Sequence, residues 1–376
     1  MRLPPRFIFL EVNQRCNLRC IHCQFWHRDD SDWENYQSRE MKRTVVQDFA
    51  HMSPFGSVVM CGGEPMLDID EYFAICRDAR DSGLKLLSVV NGTRIRTPDM
   101  ADRMILEGPH EISVSLNSHK KELHDTTRGV PGAFEKALKA LRLLLESRER
   151  HPDSGTKILV MGLIMKSNYR DIPAFYDFVL NTIRADKLKL NFVQPSFGQS
   201  SEIDPFFAEE TDVDPEILDE VISQSEALYN LDYNPAWREN VNMYFKSLRK
   251  IKDLQRGWGS RKGTKSAICN TYDRNIMVDQ YGFARLCYSS AFKGMQIEKQ
   301  GDLEKFWNKS DSIRRKMKGC KQFCGISHSV RAQSSTKSGQ EKAALFAEST
   351  CAVRPDVALP SENSGLLEKI KRLARN

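Results

Sequence analysis

Short apolar runs recur along the first half of the chain, and most end in a turn signal. "RFIFLEV" (6–12), "GSVVMCGGEP" (56–65), "LKLLSVVNGT" (84–93), "HEISVSLNS" (110–118), "TKILVMGLIM" (156–165) and "LKLNFVQP" (188–195) each read as a strand. Between them, "DIDEYFAICRDARDSG" (68–83), "GAFEKALKALRLLLESRER" (132–150) and "IPAFYDFVLNTI" (172–183) place apolar residues at helical spacing. Strands alternating with helices predict βαβ units around a parallel sheet. Six strands fall short of a complete eight-stranded barrel. The expected fold class is therefore α/β, a partial (β/α)6 TIM barrel over residues 1–197. In such folds functional groups gather at the C-terminal strand ends. A cysteine-rich loop follows the first run, and "CGGEP", "NGT" and "SLNS" end later ones.

The alternation stops after residue 197. Residues 198–265 begin with the acidic, proline-containing "GQSSEIDPFFAEETDVDPE". "EILDEVISQSEALYN" and "VNMYFKSLRKIKDLQ" then read as helices, so this stretch is expected to be a helical insertion or linker near the barrel mouth. Residues 266–326 hold a second cysteine group, and "NIMVDQYGFARLC" reads as a hairpin turning at "QYG". Residues 327–376 form a C-terminal extension. It contains a polar loop and ends in "LLEKIKRLARN", a basic amphipathic helix of the ordinary surface kind.

Composition narrows the class. The chain has 376 residues, 40% hydrophobic and 28% charged, which fits a globular protein. Its net charge of +6 is spread among acids, giving little support to a nucleic-acid footprint. No run approaches the ~20 apolar residues of a membrane span, and no signal-peptide core is present. A cytoplasmic location without membrane or nucleic-acid partners is expected. In that setting the ten cysteines point to metal or redox chemistry rather than disulfides.

Cys16, Cys20 and Cys23 have the spacing CxxxCxxC. A structural zinc site takes four protein ligands, and His22 or His27 could supply the fourth, so zinc stays open on spacing alone. An iron–sulfur cluster on three thiolates instead leaves one iron without a protein ligand, and an open position is where metal chemistry takes place. Cys269, Cys287, Cys320 and Cys324 offer four thiols, enough for a closed cluster or, equally well, for zinc.

"CNLRCIHC" after a first strand resembles the cluster motif of the radical S-adenosylmethionine (SAM) enzymes. The resemblance implies a [4Fe–4S] cluster on Cys16, Cys20 and Cys23, with SAM chelating the fourth iron. Reduction of that cluster splits SAM into methionine and a 5′-deoxyadenosyl radical, which takes a hydrogen from the substrate. "GGEP" (Gly62, Gly63, Glu64 and Pro65) resembles the family's second-strand motif. There the backbone and Glu64 meet the SAM amino group, and the glycines let main chain approach a ligand. Ser115 and Asn117 of "SVSLNS" would face the ribose. Arg128 of "HDTTRG" would pair with the SAM carboxylate, and His22 would lie against the adenine.

The later cysteines resemble the twitch domain, the shortened relative of the SPASM domain, which binds one auxiliary [4Fe–4S] cluster. Cys320-xxx-Cys324 departs from the commoner two-residue spacing, which leaves Cys351 as a replacement or added ligand. Barrel plus twitch resembles the 2-deoxy-scyllo-inosamine dehydrogenase type. That implies oxidation of an alcohol on a small sugar- or aminocyclitol-like substrate, with the second cluster accepting the electron and flavodoxin or ferredoxin as external donor.

Two alternatives stand beside it. A radical epimerase would use Cys61, directly before GGEP, as hydrogen donor, although Cys61 also reads as a small buried residue. Cys76 lies in a helical apolar pattern and reads as core. A peptide or protein maturase is the other alternative. Only fifteen residues precede Cys16, so the N-terminal peptide-binding domain of many maturases is expected to be absent. Asn91, Asn191, Gln194, Tyr288 and Ser289 are candidate substrate contacts, and no general base is assigned.

Overall fold

The computed structural model describes residues 3–23, 25–27, 33–193, 209–231, 233, 235–249, 271–287 and 294–318. Six parallel strands form its centre: β1 (Phe7–Glu11), β2 (Ser57–Cys61), β3 (Lys85–Val90), β4 (Glu111–Ser115), β5 (Lys157–Ile164) and β6 (Lys187–Phe192). The connecting helices are α1 (Arg39–Met52), α2 (Ile69–Asp81), α3 (Pro98–Leu106), α4 (Lys121–Arg128), α5 (Ala133–Arg150) and α6 (Ile172–Asp177). A π-helical turn, Phe178–Ile183, continues α6. Five of these six strands lie within their predicted runs, and β6 starts one residue before its run, at Lys187. Helices α1, α3 and α4 were not read from the pattern, because α1 and α3 bury only a few apolar side chains and α4 buries His124, Thr127 and Arg128 instead. The apolar ones in α1 are Val45, Val46 and Phe49.

The strand faces divide the chemistry. Ile8, Leu10, Val58, Met60, Leu86, Val90, Ile112 and Val114 pack into one core with Phe49, Phe73, Met104 and Leu141 of the helices. Each such burial is worth about 1.5–3 kcal/mol relative to exposure. The alternate positions face the other way, which puts Glu11, Cys61 and Ser115 on the inner face at the C-terminal strand ends. At the opposite end the buried Glu111 pairs with Lys189 of β6, and Lys85 of β3 lies 3.8 Å away.

The sheet has nine strands in the order β6-β5-β4-β3-β2-β1-β7-β8-β9. β7 (Asn275–Val278) pairs parallel to β1, while β8 (Phe283–Arg285) and β9 (Met295–Gln296) are antiparallel. The predicted hairpin therefore exists and turns through Gly282, at φ +90°. It extends the barrel sheet from the edge of β1, so the described part of 266–326 shares a sheet with the first domain.

Helices α7 (Pro215–Tyr229) and α8 (Pro235–Arg249) follow β6. Tyr229 Oη donates to Pro173 O (3.1 Å) and Tyr244 Oη to Val193 O (2.8 Å), and the Phe192 and Tyr244 rings lie 4.4 Å apart. This part of 198–265 packs on the flank beside α6 and β6, because its apolar residues complete the core there. Helix α9 (Asp302–Lys309) packs against α1, with Trp307 Nε1 donating to Leu3 O (3.2 Å), and α10 (Asp311–Lys318) holds the turn before β7, where Arg314 Nε donates to Tyr272 O (2.9 Å). The C-terminal extension 327–376 lies outside the described residues.

Helix α5 starts behind a glycine with no capping side chain. Asp125 supplies the cap from α4, its two oxygens accepting from Gly132 N and Phe134 N, both at 2.8 Å. Asp125→Ala should therefore destabilise the protein by about 1–2 kcal/mol, read as a lower urea midpoint. Asp125→Asn, which keeps one acceptor, should lose less. Equal losses would show that these caps are not the source.

Candidate active site

The cysteine loop leaves β1 and runs on beside the end of β2. Val12 N donates to Cys61 O (3.0 Å), Gly63 N to Asn13 O (2.8 Å) and Glu64 N to Arg15 O (2.7 Å). A Cβ on Gly62, at φ +129°, would sit 2.3 Å from Asn13 O, and one on Gly63 would sit 2.0 Å from Arg15 O. Both glycines therefore make room for the cysteine loop's own backbone. On its other side the loop pairs with the end of α4, through Arg19 N to Arg128 O (3.0 Å) and Ile21 N to Thr127 O (3.2 Å). Gly129, at φ +65°, again permits the approach, since its Cβ would lie 2.1 Å from Arg19 O.

Clamped on both sides, the loop gathers its thiols. Cys20 is buried, Cys16 and Cys23 are half-buried, and all three pack with Leu18, Val130 and Ala133. None is in a disulfide. Burial pushes the Cys16 thiol up to about 12, and Glu64, Cys20 and Cys23 add to the effect. A bound metal would have to displace that proton. Among the described residues, no three His, Cys, Asp or Glu side chains converge as ligands of a single metal ion. Three thiols spread along one loop suit a polynuclear cluster instead, where each binds its own iron. Arg128, only 8% exposed, donates from one terminal nitrogen to Cys20 Sγ (3.7 Å) and from the other to Asn117 Oδ1 (3.2 Å). Its Nε is buried without a partner. A buried, incompletely bonded cation against a thiol fits an anionic cluster or ligand.

Glu64 is 2% exposed. Its Oε1 accepts from Met66 N (3.1 Å) and its Oε2 from Asn91 N (2.7 Å). Burial raises its carboxyl to about 7, against the pull of these donors and of the Arg128 and Arg94 guanidiniums. Pro65 is buried in the short turn that Glu64 caps. Asn91 also bonds the cysteine loop. Its Nδ2 donates to Asn17 Oδ1 (2.9 Å), and Asn17 Nδ2 donates to Thr93 Oγ1 (2.8 Å). Asn17 and Thr93 were not singled out from sequence. The available signal was Asn17's place between two of the cysteines.

Asn117 has no exposed surface. Its amide is engaged by Thr127 and Arg128, and its backbone N–H donates to His124 Nδ1 (3.1 Å). Through Oδ1 it positions Arg128. Ser115 is half-buried at the end of β4. His22 is half-buried, with its Nδ1 buried and unpartnered. Burial, then Arg128 and His124, lower its pKa to about 3, so the ring is neutral. Cys61 pairs in register with Glu11 across β1 and β2, and burial and then Glu11 hold it as a thiol. Cys76 is core, as read. Asn191 Nδ2 points to Met161 Sδ (3.6 Å), away from the cysteine loop in sequence and on the last parallel strand. Of the second thiol group only Cys287 is described, half-buried just past β8. Cys269, Cys320, Cys324 and Cys351 lie outside the described residues, as do Gln194, Tyr288 and Ser289.

Residues 10–179 match the model of the Radical SAM superfamily. The Fe-coproporphyrin III synthase of Methanosarcina barkeri is 34% identical over 172 residues, covering 45% of this chain and 39% of that protein. The mycofactocin maturase MftC of Mycobacterium tuberculosis is 30% identical over 137 residues, covering 36% and 33%. The chain thus spans well under half the length of these relatives. Among solved structures, SuiB of Streptococcus suis has a TM-score of 0.58 at 14% identity, covering 85% of this chain and 68% of that one. The structure of anSMEcpe with bound AdoMet has a TM-score of 0.54 at 15% identity, covering 87% and 84%. At such identities the two structures speak for the fold alone. The family implies SAM and a [4Fe–4S] cluster. No helix among the described residues is long and apolar enough to cross a membrane.

Two outcomes follow from the geometry. Gly63→Ala should cost several kcal/mol and loosen the cysteine loop, because its clash is with backbone rather than a movable side-chain end. A lower melting temperature together with reduced iron uptake would show this, whereas Gly83→Ala, at φ +70° with nothing within 4 Å of its Cβ, should cost only its own backbone strain and leave iron uptake unchanged. For Glu64 the folded pKa of about 7 lies above the ordinary 4.5. Its contribution to stability is therefore full below about pH 4.5 and is lost as pH rises through about 7, a change of roughly 3 kcal/mol. In the metal-free protein Glu64→Gln should gain on wild type in urea unfolding between pH 5 and pH 8. A difference that does not vary with pH would contradict the burial effect.

Proposed function

We propose that this chain is a radical SAM oxidoreductase that removes a hydrogen atom from its substrate. The observation that carries the reading is the clamped three-thiol loop with a buried, incompletely bonded Arg128 against it. Cys16, Cys20 and Cys23 would hold the cluster, Arg128 would meet the SAM carboxylate, Glu64 the ammonium, and the neutral His22 ring the adenine. When bound, the cluster and SAM supply a 5′-deoxyadenosyl radical as hydrogen-atom acceptor. The chain's own residues fix the geometry. Asn117 and His124 hold Arg128, and Asn17, Asn91 and Thr93 hold the loop to β3.

Alcohol oxidation on a small polar substrate remains the finer proposal. The substrate loses a carbon-bound hydrogen atom to the nucleoside, a hydroxyl proton to a base, and an electron to an acceptor cluster on Cys269, Cys287, Cys320 and Cys324. A flavodoxin or ferredoxin would supply the first electron. The similarity to a porphyrin synthase and to a mycofactocin maturase favours a second reading, in which the substrate is a tetrapyrrole or a peptide. An epimerase using Cys61 is the third.

The test is anaerobic reconstitution with iron and sulfide, then SAM and dithionite. Wild type should form 5′-deoxyadenosine and hold about eight irons. The Cys16/Cys20/Cys23→Ala variant should form none and hold about four. Absence of 5′-deoxyadenosine from iron-loaded wild type would overturn the reading. Zinc in place of the second set of irons would remove the electron acceptor and with it the oxidation. Deuterium incorporated at carbon in deuterated water, without net oxidation, would favour the epimerase.

A further inference from the structure

From residue 15 to residue 20 the cysteine loop alternates in exposure. Cys16 is half-buried and Leu18 and Cys20 are buried, while Arg15, Asn17 and Arg19 between them are exposed. The thiols thus lie directly beneath an outer face that carries two arginines. Arg19 is fixed there. It donates from Nη1 to Cys16 O (2.8 Å) and Leu18 O (3.0 Å), and its guanidinium lies 5.6 Å from the centre of the Trp26 ring. The Trp26 indole in turn donates to Cys20 O (2.9 Å). A third arginine joins this face from the loop after β3. Arg96 is exposed, its Nε donates to Thr93 O (2.8 Å), and the Thr93 hydroxyl accepts from Asn17 Nδ2 (2.8 Å).

Little acid balances these charges. The four stretches that meet at the thiols, 12–23, 62–67, 91–97 and 128–132, contain five arginines and one acid, Glu64. Glu64 is buried and bonded to backbone N–H groups. A small anion is bound in a concave pocket, whereas Arg15, Arg19 and Arg96 are exposed on the outside of loops. Exposed arginines beside a tryptophan fit a docked protein of opposite charge, since these residue types are enriched where proteins bind one another. The charge of the chain as a whole is scattered among acids, which gives a nucleic acid no extended track. A cluster on the three thiols needs one electron from outside the chain. A carrier seated on this face is separated from the thiols only by the thickness of the loop.

We propose that Arg15, Arg19, Trp26 and Arg96 form the docking surface for an acidic one-electron carrier protein of the flavodoxin kind. The carrier's flavin hydroquinone is oxidised to the semiquinone and the cluster is reduced by the same electron. This rests on the cluster reading above, which calls for an external donor but gives it no place on the chain.

The experiment is equilibrium binding of oxidised flavodoxin to the anaerobically reconstituted full chain, followed by flavin fluorescence, with iron content as control. Wild-type binding should weaken as salt rises. Arg15→Glu should weaken it roughly tenfold at low salt, because a favourable charge is replaced by a repulsive one. Arg96→Glu should act in the same direction, and Arg15→Lys should keep most of the affinity. Reduction of the cluster by flavodoxin hydroquinone should slow in Arg15→Glu by a similar factor, while the extent of reduction by excess dithionite stays as in wild type. Arg142→Glu, at an exposed position of α5, should leave binding unchanged. Unchanged binding in both Arg15→Glu and Arg96→Glu would overturn the assignment. So would an equal loss in Arg142→Glu, which would make the effect one of net charge, or loss of iron in both loop variants, which would make the arginines structural. Equal affinity of wild type for a short single-stranded RNA would also overturn it. Iron-loaded wild type that neither donor reduces would overturn the cluster reading instead.

Discussion

The candidate site depends on how closely three stretches of backbone approach one another. The cysteine loop lies between Gly62–Gly63 on one side and Gly129 on the other, and its carbonyls occupy the space where side chains would begin. Hydrogen bonds along both borders then fix its register. A short irregular loop would otherwise keep much of its conformational entropy, about 1–2 kcal/mol per residue. Closing it between a strand end and a helix end removes that freedom before any ligand binds. The thiols are thereby held in one small apolar cluster rather than scattered on a mobile loop.

Burial of charge follows from that packing. The loop covers Arg128 and Glu64, and the two experience opposite constraints. Arg128 keeps its charge and a share of unbonded donors. Glu64 is pushed toward its neutral form by burial while backbone N–H groups and two guanidiniums pull it back. The balance lies near neutral pH, so a bound cationic group could settle it by favouring the carboxylate. Cys16 shows the same logic, since a thiol pushed up to about 12 holds its proton until metal displaces it. The site's charges are thus incompletely paired within the protein, and ligands would complete them.

How legible this was in the sequence depended on the kind of signal. The strands announced themselves, because one face of each packs against helices in runs such as "LKLLSVV" and "TKILVMGLIM". Helices α1, α3 and α4 did not, being mostly polar and defined by caps such as Ser38 and Thr97. The thiol trio and Arg128 were readable as motif positions. The purpose of the glycines was not, because a motif shows which residue is small and not what fills the space. Asn117 was picked out by its place at a strand end, but its bonds to Thr127 and Arg128 of α4 carry no sequence signal. Asn17 sits beside Cys16 in the sequence, but only the fold brings Asn91 and Thr93 to it.

The hairpin gives the second cysteine segment a physical route to the first. β7 lies directly against β1, the strand that delivers the cysteine loop. At its turn Tyr281 accepts from Gln14 Nε2 (2.8 Å), two residues before Cys16, and its ring meets Tyr36 edge-on at 5.4 Å. Gln37 N donates to Gln280 O (2.8 Å), and Gly282 lets Gln37 pack close enough that a Cβ there would lie 2.7 Å from its Nε2. The base of the first site is therefore built partly from the later segment. Cys287 follows β8 by two residues, on the strand paired with β7. The separation between a cluster on the first loop and any group held by Cys287 is then set by a continuous hydrogen-bonded sheet rather than by a linker.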